Sequence, residues 1–203
     1  TGETCSEDFP AENAYQRERS GFGCDAFIAK LIEVISYGFL ELKKGWNFIS
    51  FPRLPQDPSI TSVLKTKDVK VIWGYDNVNK RWLSWKPNIT SSTLTAFESG
   101  KGYWIYMNRA RLMDMSNWTG GSSTVPLYEG WNLIGWNGAD GVPVMDALYT
   151  LGDKWEIIWG WENGKWKAKK RGADSIPGIE PLCVLNQGRA YWIKMNVNAT
   201  WSQ

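Results

Sequence analysis

The chain carries 14 tryptophans and no histidine, and these two counts bound the chemistry open to it. Indole faces stack on flat, C–H-rich ligands such as sugar rings, and they anchor protein interfaces. Without histidine the usual general base is missing. So are Ser/His and Cys/His pairs and the commonest ligand of transition metals. Carboxylates such as Glu98, Glu129, Asp153 and Glu180 would serve a glycosidase only within about 5 to 9.5 Å of each other, and the sequence alone pairs none of them. Gly100-x-Gly102 precedes a strand pattern instead of a helix, so no helix N-terminus waits there for a pyrophosphate. Asp76, Asn77 and Asn79 lack the following glycine and distal glutamate of a calcium loop and read as turn chemistry. No catalytic constellation emerges, so the expectation is a non-enzyme without cofactor or metal.

Two kinds of covalent chemistry remain. Asn88, Asn117 and Asn198 each stand two places before a threonine, which makes them N-glycosylation acceptors in a secreted protein. Cys5 and Cys24 flank a polar, turn-rich stretch and form a candidate disulfide, which would imply an oxidising compartment. The alternative is that both are free thiols, like the odd Cys183.

The elements that must position the tryptophans follow from an internal repeat. Gly45-Trp46-Asn47-Phe48-Ile49 reappears as Gly130-Trp131-Asn132-Leu133-Ile134, and Val71-Ile72-Trp73-Gly74-Tyr75 as Ile157-Ile158-Trp159-Gly160-Trp161. Trp82 answers to Trp166. Gly100, Tyr103, Trp104, Ile105 and Met107 answer to Gly188, Tyr191, Trp192, Ile193 and Met195. The offset drifts only between blocks, as when loops take insertions and strands do not. The reading is a mainly β protein of two tandem pseudo-symmetric repeats. Each has about four or five antiparallel strands and one short helix. In copy one Asp57 is the expected N-cap, with Pro58 first in the helix and Ile60, Val63 and Leu64 as its stripe. In copy two Pro143 precedes Met145, Leu148 and Leu151 at similar spacing. Asn163-Gly164 marks a two-residue hairpin turn.

The domain reading is an N-terminal arm at 1–39, repeat one at 40–118, a Gly/Ser linker at 119–126 and repeat two at 127–203. The linker is flexible unless the copies pack together. In the arm, Phe27, Ile28, Leu31, Ile32 and Ile35 follow helical spacing from Cys24 onward. Strand alternation puts Tyr103, Ile105 and Met107 on one face of the last strand and Trp104 on the other, with Lys194 beside Trp192 pointing to a wet face. The pairs Trp46/Trp131, Trp73/Trp159 and Trp82/Trp166 recur at matching positions and read as core. Trp85, Trp136, Trp155 and Trp201 lack an aligned tryptophan. With Trp104 and Trp192 they are the candidates for recognition.

Gly45-Trp46-Asn47, a Trp-bearing hairpin and Gly100-x-Gly102-Tyr103-Trp104-Ile105, followed in copy two by Gly130-Trp131-Asn132-Leu133-Ile134, a second such hairpin and Tyr191-Trp192-Ile193, resemble a Trp-rich β repeat of secreted and cell-surface proteins of archaea and bacteria. Those proteins have adhesive or surface-layer character. The resemblance covers 42–108 and 127–196, with Ala190 where copy one has Gly102. It implies an extracellular or cell-surface location and carries no catalytic residue.

Charge adds little. Lys plus Arg number 23 against 21 Asp plus Glu. The cluster Lys165, Lys167, Lys169, Lys170 and Arg171 alternates with Trp166 and Ala168, as a solvated strand face does, so no nucleic-acid partner is expected. The apolar run Ala26 to Leu42 is interrupted by Lys30, Glu33 and Glu41 and is too short to span a membrane. The functional expectation is an extracellular structural or adhesive module. It would be a self-assembling surface or filament subunit, partnered by its own copies or by neighbouring surface proteins. The alternative is a carbohydrate-binding module with glycans as partners.

Overall fold

The computed structural model describes residues 2–4, 25–27, 38–65, 67–173 and 175–203. By its contacts the chain falls into two units, 1–36 and 37–203. In the first unit β1 (Gly2–Thr4) pairs antiparallel with β2 (Asp25–Phe27). The helix expected from Cys24 onward is corrected at its start, because 25–27 is extended and paired as a strand. Its remaining positions, and Cys5 and Cys24, lie outside the described residues.

In the second unit, repeat one runs β3 (Phe39–Leu42), β4 (Gly45–Ser50), α1 (Ile60–Leu64), β5 (Val69–Asp76), β6 (Arg81–Trp85), β7 (Gly102–Met107) and β8 (Arg111–Asp114). Repeat two runs β9 (Thr124–Leu127), β10 (Gly130–Gly135), β11 (Val142–Pro143), α2 (Val144–Ala147), a 3-10 turn at Tyr149–Leu151, β12 (Trp155–Glu162) and β13 (Lys165–Lys170). It ends with β14 (Glu180–Pro181), β15 (Val184–Leu185), β16 (Ala190–Met195) and β17 (Ala199–Ser202). The protein is mainly β, as expected. One sheet has the order β4-β7-β5-β6 and the other β10-β16-β12-β13-β14. The entry and exit strands of each repeat pair with each other, β3 with β8 and β9 with β17.

The Gly-Trp-Asn motif is a turn lock. Gly45 and Gly130 take φ of 94° and 79°, a region that strains any side chain. The asparagine then stitches the turn shut. Asn47 Oδ1 accepts from the Lys43 N–H at 2.8 Å while its amide donates to the Lys43 carbonyl at 2.8 Å. Asn132 bonds Tyr128 in the same two ways, at 2.9 and 2.6 Å. Both asparagines are buried and satisfied, as buried polar groups must be.

One face of each sheet closes its own core. Ile49, Ile72, Tyr103, Ile105 and Met107 pack with Ile60, Val63 and Leu64 of α1. Ile134, Ile158, Tyr191, Ile193 and Met195 pack with Val144, Ala147, Leu148 and Leu151. Each valine, leucine, isoleucine or methionine among them contributes about 1.5–3 kcal/mol of burial. The helices start differently from expectation. Ser59, not Asp57, is the N-cap of α1, because Pro58 and Ser59 run alongside the 95–97 segment, where Phe97 N–H donates to Pro58 O at 2.9 Å. In α2, Val144 takes the buried place expected for Met145, which is exposed. The Asn163-Gly164 turn forms as read, closing β12 onto β13 with Glu162 opposite Lys165.

The Gly/Ser segment is tied down. Gly120 N–H donates to Leu54 O at 3.0 Å, and Thr124 begins β9. No helix among the described residues is long and apolar enough to cross a membrane.

Candidate functional site

The other face of each sheet turns toward its sister. Cross-strand register gathers Trp46, Phe48, Trp104, Tyr106, Trp73, Tyr75 and Trp82 on the first sheet. On the second it gathers Trp131, Leu133, Trp192, Lys194, Trp159, Trp161 and Trp166. The sheet backbones bond directly at one end of these faces, where the residues are small. Ser50 N–H donates to Gly188 O at 2.9 Å, and Gly135 N–H to Gly100 O at 2.9 Å. A Cβ on Gly102 would stand 2.7 Å from the Ile134 carbonyl oxygen, and one on Gly135 would stand 2.3 Å from Ser50 Cβ. Only residues this small allow the backbones so close. Phe48, Leu133 and Ala190 seal the contact.

Away from this closure the large indoles line the space between the sheets and leave it open to solvent. Trp104 stacks on Phe48 at 4.3 Å and reaches across to Trp161 and Trp166, edge to face, at 5.2 and 6.0 Å. Trp192 reaches back to Tyr75 and Trp82 at 5.0 and 5.6 Å. Such edge-to-face pairs add about 0.5–1.5 kcal/mol each beyond burial. Two adjoining pockets result. One, of about 590 Å³, is lined by Trp46, Trp73, Trp82, Trp104, Trp161 and Trp166. The other, of about 500 Å³, is lined by Tyr75, Trp82, Trp131, Trp159, Trp166 and Trp192. Trp82 and Trp166 belong to both.

This geometry corrects the sequence reading of the tryptophans. Trp46, Trp82, Trp131 and Trp166, expected in the core, are 44, 48, 39 and 41% exposed, and Trp73 and Trp159 are half-buried. They recur because both repeats present the same face to one cleft, not because each fills a private core. Trp104 and Trp192 are half-buried, at the centre of the aromatic network. Trp136, offered as a recognition residue, is 4% exposed, stacks on Trp201 at 5.4 Å and donates its indole N–H to Ala139 O. Trp155 and Trp201 are buried too. Trp85 packs on the core of repeat one and lines neither pocket. The signal missed was the sister residue. Trp136, Trp155 and Trp201 stand where repeat one has the buried Phe51, Val69 and Met113, so an apolar counterpart other than tryptophan marked the core better than a recurring tryptophan did.

The cleft is a donor surface without charge in its lining. Among the described residues, Trp136 and Trp201 are the indoles whose N–H groups donate within the protein. The cleft indoles donate to no described residue, and none is buried without a partner. Three lysines stand near the cleft, one of them in an ion pair. Lys194 Nζ meets Glu156 Oε2 at 2.7 Å, Lys80 donates to Trp131 O at 3.0 Å, and Lys70 lies over the Tyr106 ring at 5.0 Å. Burial lowers the Lys80 ammonium, opposed by the charge of Glu129. Burial, and then the Asp76 charge, raises the Tyr75 phenol. No group of three or more acidic or cysteine side chains among the described residues is placed to hold a metal. Asn88, Asn117 and Asn198 are exposed, and Asn198 Oδ1 accepts from the Glu129 N–H at 2.8 Å. Cys183 is an exposed free thiol.

The class these features define is a mainly β protein of two facing sheets with an aromatic cleft between them. No family model matches the chain, and neither a curated protein nor a solved structure does.

Proposed function

We propose that this chain is an extracellular adhesive module that binds carbohydrate in the cleft between its two sheets. The observation carrying the proposal is the set of nine tryptophans lining the two pockets, four of them 39–48% exposed. Exposed aromatic surface of this extent is costly in water and marks an interaction site. Indole faces take the C–H faces of sugar rings, and the accessible indole N–H groups donate to sugar oxygens. The extracellular placement rests on the likeness to the Trp-rich surface repeat and on the exposure of Asn88, Asn117 and Asn198.

The test is retardation of the native protein in gels that contain polysaccharide, with Trp82→Ala and Trp166→Ala run alongside. Retardation by at least one neutral polysaccharide, lost in both variants, is expected. Unchanged mobility across a broad panel, or retardation that survives both substitutions, overturns the reading.

A further inference from the structure

We infer that the two pockets form one continuous site for a single neutral glycan chain of several sugar units, with Trp82 and Trp166 as shared platforms. This rests on the carbohydrate reading and adds length, charge and stoichiometry to it.

Three observations point there. First, the pockets have two walls in common, so a ligand that fills one already touches residues of the other. Two independent monosaccharide sites would need no common residue. Second, each pocket is built by both repeats. Trp104 comes from β7 and faces Trp161 of β12, whereas Trp192 comes from β16 and faces Tyr75 of β5. The platforms therefore continue across the boundary between the sheets. Third, the linings hold no acidic or basic side chain, and Lys194, the cation on the same face as Trp192, is paired with Glu156. A uronate or sulfated sugar lodged in the pockets would place its charge against indole walls with no charged partner in the lining, which is unfavourable. A neutral chain lays its C–H faces on the indoles and keeps its hydroxyls in the solvent that the cleft admits. Contacts made at one pocket then raise the local concentration of the next sugar at its neighbour.

Calorimetric titration of the full chain with cello-, manno- and chito-oligosaccharides of increasing length tests this. A galacturonate hexamer serves as the acidic control. In the neutral series that binds, one oligosaccharide per protein is expected. Affinity should rise at least about tenfold from monosaccharide to tetrasaccharide, and Trp82→Ala and Trp166→Ala should each lower the tetrasaccharide affinity about tenfold. Two ligands per protein with affinity independent of length would overturn the continuous site and leave carbohydrate binding standing. Tighter binding of the galacturonate hexamer would overturn the neutral specificity. Heat from none of the oligosaccharides, or from a polyproline peptide alone, would overturn both readings.

Discussion

Asn77 and Leu133 are joined as two neighbouring strands would be, although one contributes a side chain and the other its backbone. The Leu133 N–H donates to Asn77 Oδ1 at 2.8 Å, and Asn77 Nδ2 donates to the Leu133 carbonyl at 3.3 Å, in a buried setting. The turn between β5 and β6 thereby grips β10 of the other repeat. Repeat two closes the equivalent hairpin with only Asn163-Gly164. The long turn of repeat one is thus the source of this polar clamp.

Replacing Asn77 with alanine strands the buried Leu133 N–H. The expected cost is about 1–3 kcal/mol, read as a lower denaturation midpoint with an unchanged slope. A midpoint equal to wild type would show that solvent reaches the Leu133 amide and that the clamp contributes nothing.

The close approach of the sheets predicts a specific coupling. Gly135→Ala should destabilise by about 1–3 kcal/mol through overpacking, since its Cβ would meet Ser50 Cβ at 2.3 Å. Ser50→Gly should relieve part of that cost while losing its own bond to the Arg189 carbonyl. It should not relieve Gly102→Ala, whose Cβ would meet the backbone oxygen of Ile134. A double-mutant cycle with no coupling between positions 50 and 135 would contradict the packing described here.

The tryptophans should divide by location. Trp155→Ala and Trp201→Ala empty buried sites and should each cost about 3–5 kcal/mol. Trp46→Ala and Trp131→Ala remove half-solvated rings and should each cost about 1 kcal/mol. Thermal denaturation of the four variants separates the groups, and equal losses would return the cleft residues to the core.

Stability should depend on pH at both extremes. The Asn79 side-chain amide, followed by the Asn79 backbone N–H, holds the Asp76 carboxyl down to about 2, against desolvation and with help from Val78 and Arg81. A depressed carboxyl contributes stability that is present above its unfolded value of about 3.9. That stability is lost as pH falls from there through about 2. Asp76→Asn should flatten this acid limb. At the other end, burial raises the phenols of Tyr103 and Tyr191. Their contribution is complete below the unfolded value of about 10 and is lost as pH rises from there toward the raised folded value. Denaturation midpoints between pH 2 and 4, and again above pH 10, check both limbs. Flat profiles in both ranges would contradict the assignment.

What the sequence by itself determined is local. The Asn163-Gly164 hairpin, the buried stripe Ile60, Val63 and Leu64, and the inward set Tyr103, Ile105 and Met107 were all legible. Their signals are periods of two or between three and four residues, written within a single element. The recurrence of the Gly-Trp-Asn and Tyr-Trp-Ile blocks is a property of the sequence itself, seen by comparing the chain with itself. Tertiary structure alone decided which face of β4 and β10 meets solvent. Trp46 and Ile49 sit three residues apart with opposite fates, and either face of β4 could have closed a core. The choice depends on Ser50 reaching the Arg189 carbonyl, 139 residues away, and on glycines that let two backbones touch. Because the sheets close where the residues are small and stay apart where the indoles are large, the tryptophans line an open cleft instead of filling a core.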